Sequence, residues 1–298
     1  MNNRELEELA AKLGESPNYR ILRRVRPRTS LGIPITADLR QGLFLDVETT
    51  GLDPLNDEII QLAMVPFTYA LDGKICDVSE PFDQLRQPSK QIPPEITSLT
   101  GLSDADVLGR KIDPTEVNEF LGKADLVIAH NAGFDRQFVE KLFPFFASKP
   151  WACSMTEVDW RDEGIETTKL AYLAMEFGFF YERHRAVNDC LAAIEILGQS
   201  LPKSGTSVLT NLLHNARKPT WQIWAENSPF ETKDILKARG YRWNPDAGKQ
   251  PKGWYIEVTE AQRENEERFL KSEIYGRELT LKSIRLNAFN RYSDRIQQ

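Results

Sequence analysis

The stretch that most constrains this chain is Leu43-Phe44-Leu45-Asp46-Val47-Glu48-Thr49-Thr50-Gly51-Leu52. A short apolar run bounded by Gly42 and Gly51 predicts a strand buried on both faces, yet this one carries two carboxylates. Burying a carboxylate is costly unless positive charge meets it, and Asp46 and Glu48, two positions apart, project on the same face. The simplest compensation is a divalent cation, Mg²⁺ or Mn²⁺, because hard cations favour carboxylate oxygen. The competing reading is a strand that frays into water, where Asp-x-Glu needs no ion. Past the acids, Thr49-Thr50-Gly51 turns the backbone away and leaves N–H groups and hydroxyls for a ligand.

A chain of 298 residues, 41% hydrophobic and 28% charged, has the ordinary make-up of roughly two globular domains. It lacks the run of about 20 apolar residues that a membrane span needs, and its first residues hold no signal-peptide core, so the expected location is cytoplasmic with no membrane partner. Cys76, Cys153 and Cys190 are odd in number and show no C-x-x-C spacing, which argues against a disulfide framework or a zinc site. The net charge of -6 is uneven: residues 1–40 carry +3, residues 41–204 carry -13 and residues 205–298 carry +4. An acidic middle between mildly basic ends suits a metal-binding core with appendages that grip a polyanion, and equally suits plain solvated faces.

Leu6, Leu9, Ala10 and Leu13 form one stripe, which predicts a short amphipathic helix ended by Gly14. Tyr19 to Arg28 mixes β-formers with five arginines and reads as an edge strand guarded by charge, with phosphate contact as the alternative. After the opening strand, Glu58–Phe67 and Ile75–Val78 predict two more, joined by a hairpin turn at Leu71-Asp72-Gly73-Lys74. Ile92 to Gly101 is a proline-initiated helix with a glycine stop, and Pro114 to Gly122 predicts another. Asp125–His130 and Trp151–Met155 read as strands, while Gly133–Leu142, Thr168–Phe177 and Ala186–Leu197 read as helices. The expected fold class is α/β, a mixed sheet with helices against it.

Two further segments carry chemistry. In His130-Asn131-Ala132-Gly133-Phe134-Asp135 a strand hands over to a helix, and Asp135 falls in the first turn, where the helix dipole alone would account for it. In His184-Arg185-Ala186-Val187-Asn188-Asp189-Cys190 the acid lies at the edge of an apolar stripe and His184 precedes the helix on a loop. Taken together, these residues resemble the DEDDh 3′-to-5′ exonucleases, a family that includes the proofreading epsilon subunits of DNA polymerase III, oligoribonuclease and ribonuclease T. Asp46 to Gly51 resembles the first motif, His130 to Asp135 the second and His184-x-x-x-x-Asp189 the third, with Ile92 to Ile96 and Leu99 to Leu102 similar to a further signature.

The resemblance covers about residues 41–200. It implies a ribonuclease-H-like fold in which Asp46, Glu48, Asp135 and Asp189 hold two divalent cations, Mg²⁺ or Mn²⁺, and His184 is the general base. It implies release of nucleoside 5′-monophosphates, and it makes Thr49, Thr50, Leu52, His130, Asn131 and Phe134 candidates for contact with the terminal nucleotide. DNA, single-stranded or frayed, is the expected substrate; an RNA trimmer and a catalytically silent binding scaffold on the same fold are the rivals. A polymerase or repair partner is left open, because Gln199-Ser200-Leu201-Pro202 lacks the apolar end of a sliding-clamp peptide.

The expected organisation is an N-terminal helix and basic arm over 1–40, the exonuclease domain over 41–204 and a small α+β accessory domain over 205–298. In the last of these, Ser228-Pro229-Phe230-Glu231 predicts a capping box opening a helix that Gly240 closes. Tyr241–Trp243 and Gly253–Val258 predict a hairpin about an Asn244-to-Gly248 turn, and Thr259 with Gln262 caps a helix to about Tyr275. Trp221, Trp224, Trp243 and Trp254 fall here beside Arg239, Arg242, Lys249 and Lys252. Aromatics among cations suit stacking on single strands, with Arg239, Arg242, Trp243, Lys252 and Trp254 as candidate contacts; a small domain also needs such rings for its core.

Overall fold

The computed structural model describes residues 2–26, 38–245 and 251–295. Arg28, Lys249 and the Asp246-Ala247-Gly248 part of the expected turn lie outside those residues. The chain divides into two compact units, residues 1–213 and 214–298.

The first unit opens with α1 (Asn3–Gly14), where the Asn2 side chain and Glu5 form a reciprocal capping box. Strand β1 (Arg23–Arg24) follows, then β2 (Leu39–Thr49), β3 (Ile59–Ala70), β4 (Ile75–Val78) and β5 (Phe82–Leu85). Helices α2 (Pro94–Thr100), α3 (Asp104–Val107) and α4 (Pro114–Lys123) lead to β6 (Leu126–Ala129) and α5 (Ala132–Leu142). A 3-10 turn, Pro144–Ser148, precedes β7 (Trp151–Cys153), α6 (Leu170–Glu176), β8 (Phe179–Phe180), α7 (Ala186–Leu197) and α8 (Val208–Ala216). The division between units falls inside α8.

The central sheet runs β4-β3-β2-β6-β7, with β5 also paired to β3. Strands β2, β3 and β4 form an antiparallel meander, while β6 and β7 are parallel to β2 and to each other. This is the expected mixed sheet with flanking helices, in the ribonuclease-H-like arrangement that the resemblance implies. Leu43, Phe44 and Leu45 of β2 are buried on successive faces, as are all residues of β3 from Ile59 to Phe67. Helix α7 covers β2 and β3, and α5 lies against β2, β6 and β7. The acids of β2 therefore emerge from the best-buried part of the sheet.

The basic stretch near the N-terminus is an edge closed by its own neighbours. Strand β1 pairs in parallel with β8, Arg23 meets Glu7 at 2.8 Å, and Arg20 meets Glu176 at 3.3 Å and donates to the Met175 carbonyl at 2.6 Å. Arg24 stands over the Phe180 ring at 5.2 Å. These contacts favour the charge-guarded edge over a phosphate-binding arm.

In the second unit, β9 (Thr220–Glu226), a 3-10 turn at Phe230–Thr232, α9 (Lys233–Ala238), β10 (Arg242–Asn244), β11 (Gly253–Thr259), α10 (Glu260–Phe269) and β12 (Ser283–Leu286) form an antiparallel sheet in the order β10-β11-β9-β12. Ile223, Ala225, Leu236, Tyr241, Val258, Leu270 and Ile274 make its core. The Thr259–Gln262 capping box is present at α10. The expected box at Ser228 is not: Pro229 stays extended at φ -55° and ψ 140°, no side chain caps the turn, and the Thr232 hydroxyl donates to the Pro229 carbonyl at 2.7 Å instead. The regular helix accordingly starts only at Lys233.

Candidate active site

Strand β2 ends in a bulge between Glu48 and Thr49, so Asp46 and Glu48 are the last acids held in the sheet before the chain turns. A side chain at Gly51 would collide with the Asp57 carboxylate, whose oxygens bind the Thr50 hydroxyl at 3.2 Å and the Asp53 N–H at 2.9 Å. That glycine lets the turn close tightly behind the acids. The third acid comes from α7: carboxylate oxygens of Asp46, Glu48 and Asp189 all lie within 4.8 Å of one another. Asp135, in the first turn of α5, is buried and accepts the Val47 N–H at 3.2 Å, which sets it directly behind the same pair.

Burial and mutual repulsion dominate the electrostatics. Burial, then the charges of Asp135, Asp189 and Glu48, raise Asp46 well above the ordinary carboxyl range. Asp135 is also raised well above it, chiefly by burial, although the Val47 hydrogen bond works the other way. Glu48 is pushed up to about 7 by burial and by Asp189, with Arg185 opposing. Asp189 is raised by burial despite accepting the Tyr181 hydroxyl at 2.9 Å and the Arg185 N–H at 3.2 Å. Such a cluster is unfavourable by itself and is what a divalent cation would relieve, so the donor set fits the group that the sequence implies.

His184 is half-buried on the loop before α7, with φ at 60°. The next N–H, that of Arg185, bonds Asp189 at 3.2 Å, which ties that loop to the acid cluster. Tyr181 and Arg185 are functional neighbours that motif spacing did not reveal: one donates to Asp189, and the other places positive charge near Glu48. The signal for Arg185 was its place directly after His184; Tyr181 offered none beyond proximity in sequence.

Beside the acids lies a cleft of about 500 Å³ lined by Gln61, Asp83, Arg110, Lys111 and Arg185, among others. Gln61 stands opposite Glu48 in the β2–β3 register and donates to Asp83 at 2.7 Å, while its buried Oε1 has no partner among the described residues. Three cations against one carboxylate make this an anion-receptive rim.

The expected nucleotide contacts separate into two groups. Leu52 is 84% exposed, Asn131 is exposed with φ at 83°, and Phe134 is half-buried 4.8 Å from Phe138; these remain open to a ligand. Thr49 and Thr50 are buried, and their hydroxyls already donate to the Gly51 carbonyl at 2.6 Å and to Asp57 at 3.2 Å. His130 has both ring nitrogens engaged, Nε2 with the Thr168 carbonyl at 2.7 Å and Nδ1 with Ser154 Oγ at 2.9 Å. The carbonyl can only accept, so Nε2 carries the proton and Nδ1 accepts from Ser154.

Burial lowers His130 to about 4, so the folded chain holds it neutral where an unfolded one would protonate it. The stability it contributes is complete above the ordinary histidine range and is lost as pH falls through about 6.5 towards 4. His130→Gln should therefore destabilise the protein at neutral pH, and the gap to wild type in urea titrations should shrink by about 2 kcal/mol between roughly pH 7 and pH 5. A gap that stays constant with pH would show that His130 is not held neutral.

In the second unit the candidate contacts also separate. Arg239 is locked to Glu266 through two hydrogen bonds of 2.8 and 2.9 Å and stacks over Phe269 at 3.8 Å, so it braces the core. Trp221 donates to Glu260 at 2.7 Å beneath Arg263, and Trp224 is fully buried against Tyr255. Trp243 and Lys252 are exposed, Trp254 is half-buried and Arg242 is exposed.

An acid cluster opening beside a cation-rimmed cleft on a mixed sheet is the kind of site that a phosphodiester-cleaving nuclease requires. The chain belongs to the RNase T exonuclease family, whose model, described as "Exonuclease", matches residues 43–197, just over half of its length. Among curated relatives it is similar to the PolC-type DNA polymerase III of Thermotoga petrophila, 28% identical over 169 residues, and to that of Clostridium perfringens, 34% identical over 168 residues. Those matches take in 52% and 54% of this chain but 11% of each relative, so it spans about a tenth of the length of the polymerases it matches. Among solved structures it is similar to exonuclease X in complex with 5′ overhanging duplex DNA, with TM-score 0.40 and 23% identity over 57% of this chain and 99% of that one. It is also similar to Escherichia coli exonuclease I in complex with a dA16 oligonucleotide, with TM-score 0.48 and 16% identity over 74% of this chain and 63% of that one. Among the described residues no helix is long and apolar enough to cross a membrane.

Proposed function

We propose that the protein is a metal-dependent 3′-to-5′ exonuclease that releases nucleoside 5′-monophosphates from single-stranded or frayed DNA ends. The observation that carries this reading is the clustering of Asp46, Glu48 and Asp189 within 4.8 Å, with Asp135 buried behind them. A binding scaffold would gain nothing from four acids that destabilise one another.

Asp46, Glu48, Asp135 and Asp189 would hold two divalent cations, Mg²⁺ or Mn²⁺. When bound, these supply charge neutralisation, an activated water and stabilisation of the leaving 3′ oxygen. His184 receives the proton of the attacking water. Tyr181 and the Arg185 N–H hold the Asp189 carboxylate in place. Arg110, Lys111 and the Arg185 guanidinium attract the phosphates of the strand. Leu52 and Phe134 pack on the terminal nucleotide, and Asn131 stands at its edge. The relatives that are DNA polymerases support DNA over RNA and leave a polymerase or repair partner as part of the proposal.

The test is polarity. A 5′-labelled single strand should shorten as a ladder in the presence of Mg²⁺ or Mn²⁺, a 3′-phosphate should inhibit, and an RNA strand of the same sequence should be cut more slowly. Internal cuts in a circular strand, or a preference for RNA, would refute the assignment.

A further inference from the structure

The second unit contains a groove of about 630 Å³ whose walls the exonuclease chemistry does not use. Pro229, Phe230, Trp243 and Trp254 line it, together with Lys233 and Lys252. Phe230 is 74% exposed and Trp243 48% exposed, a large outlay of aromatic surface for a unit whose core is filled by other residues. The two tryptophans are a cross-strand pair on β10 and β11, in edge contact at 5.5 Å. The sheet thus holds their rings in place. Lys233 keeps its ammonium 4.1 Å from the Phe230 ring centre, so charge and ring are presented side by side.

We infer that this groove is a single-strand docking site, in which a base stacks on Trp243 and Phe230 while Lys233 and Lys252 meet the flanking phosphates. The inference rests on the nuclease reading above for its choice of ligand. Charge complementarity supports it: among the described residues lining the groove there are two ammonium groups and no carboxylate. The residues from 214 onward carry +4, whereas residues 41–204 carry -13. A strand drawn towards the acid-rich part thus gains from an attractive surface beyond the Arg110, Lys111 and Arg185 rim. Every base offers a π-face, so stacking here tolerates any sequence. A short apolar or proline-rich peptide would use the rings but would leave both ammonium groups without partners.

The experiment uses the full chain carrying Asp46→Asn, so that the strand is not consumed, and follows a labelled 20-nucleotide thymidine strand by anisotropy across a salt titration. Adding Trp243→Ala or Phe230→Ala should weaken binding by about 5- to 150-fold. Adding Lys233→Glu should reduce the slope of log affinity against log salt by about 0.7, the value for one phosphate contact on a single strand. In the chain with Asp46 intact, the same three groove substitutions should leave hydrolysis of a four-nucleotide strand unchanged. Unaltered affinity and slope in all three variants would overturn the groove, as would loss of binding to a proline-rich peptide in place of loss of binding to the strand. Absence of nucleotide release from any strand by the wild-type chain would sink the nuclease reading alone, because the anisotropy measurement does not depend on cleavage.

Discussion

Asp46→Asn should lower nucleotide release by at least about a thousandfold while making the chelated protein more stable. Both effects have one cause. Asp46 is buried among Asp135, Asp189 and Glu48, and each of these charges raises it. Asparagine keeps the shape and cannot ionise, so the cost of either charging a carboxyl among oxygens within 4.8 Å or holding it protonated disappears, and the fold gains on the order of 1 to 3 kcal/mol when no cation is present. With Mg²⁺ or Mn²⁺ the order reverses, since wild type regains what the cations return and the variant binds them weakly. The pH dependence has a fixed sign. A raised carboxyl retains in the folded state a proton that the unfolded chain releases, so the chelated fold is most stable below the ordinary carboxyl range. That stability is lost as pH rises through the folded value, about 7 for Glu48. The stabilisation gained on adding cation should therefore grow from roughly pH 5 to pH 8, as read by thermal unfolding with and without chelator. A variant that keeps turning over, or a chelated variant less stable than wild type, would remove the acid cluster from the mechanism.

The sequence made the acids of β2 and α7 legible because chemistry fixes both residue type and spacing there: two carboxylates in a buried strand need compensation wherever the strand lies. Helix α2 was legible for a similar reason, since Pro94 at its start and Gly101 in the left-handed conformation at its end have few other uses. Strand β9 was not. Gln222, Ile223, Trp224 and Ala225 are all buried, so the alternation that marks a one-faced strand is missing, and its tryptophans read as candidate stacking surfaces. Strand β5, only Phe82–Leu85, is too short to show a period. His130 stood in a motif, yet its hydrogen bond goes to a carbonyl 38 residues away, a pairing that local pattern does not contain. Arg239 looked like a phosphate ligand until the fold brought Glu266 to it. In each case the missing information was a long-range partner.

His184→Ala should lower kcat by roughly 10² to 10⁴ with cation binding retained. The backbone gives the reason to expect chemistry here. A β-carbon in the left-handed region costs about 1 to 2 kcal/mol, and asparagine, as at 131, or glycine is the usual occupant. A histidine with φ at 60° between Tyr181 and Asp189 is thus a poor choice for stability alone, and it stands where the next residue's N–H bonds Asp189 and its ring acts on that acid. His184→Gly separates the two roles: it relieves the strain, so unfolding should shift towards higher denaturant, while turnover should fall as far as in the alanine variant. Added imidazole should return part of the rate to either variant, because the missing group is a proton acceptor and the loop that carried it is intact. Variants that unfold at lower denaturant with kcat unchanged would make His184 a structural residue, and the proton of the attacking water would then have to leave by another route.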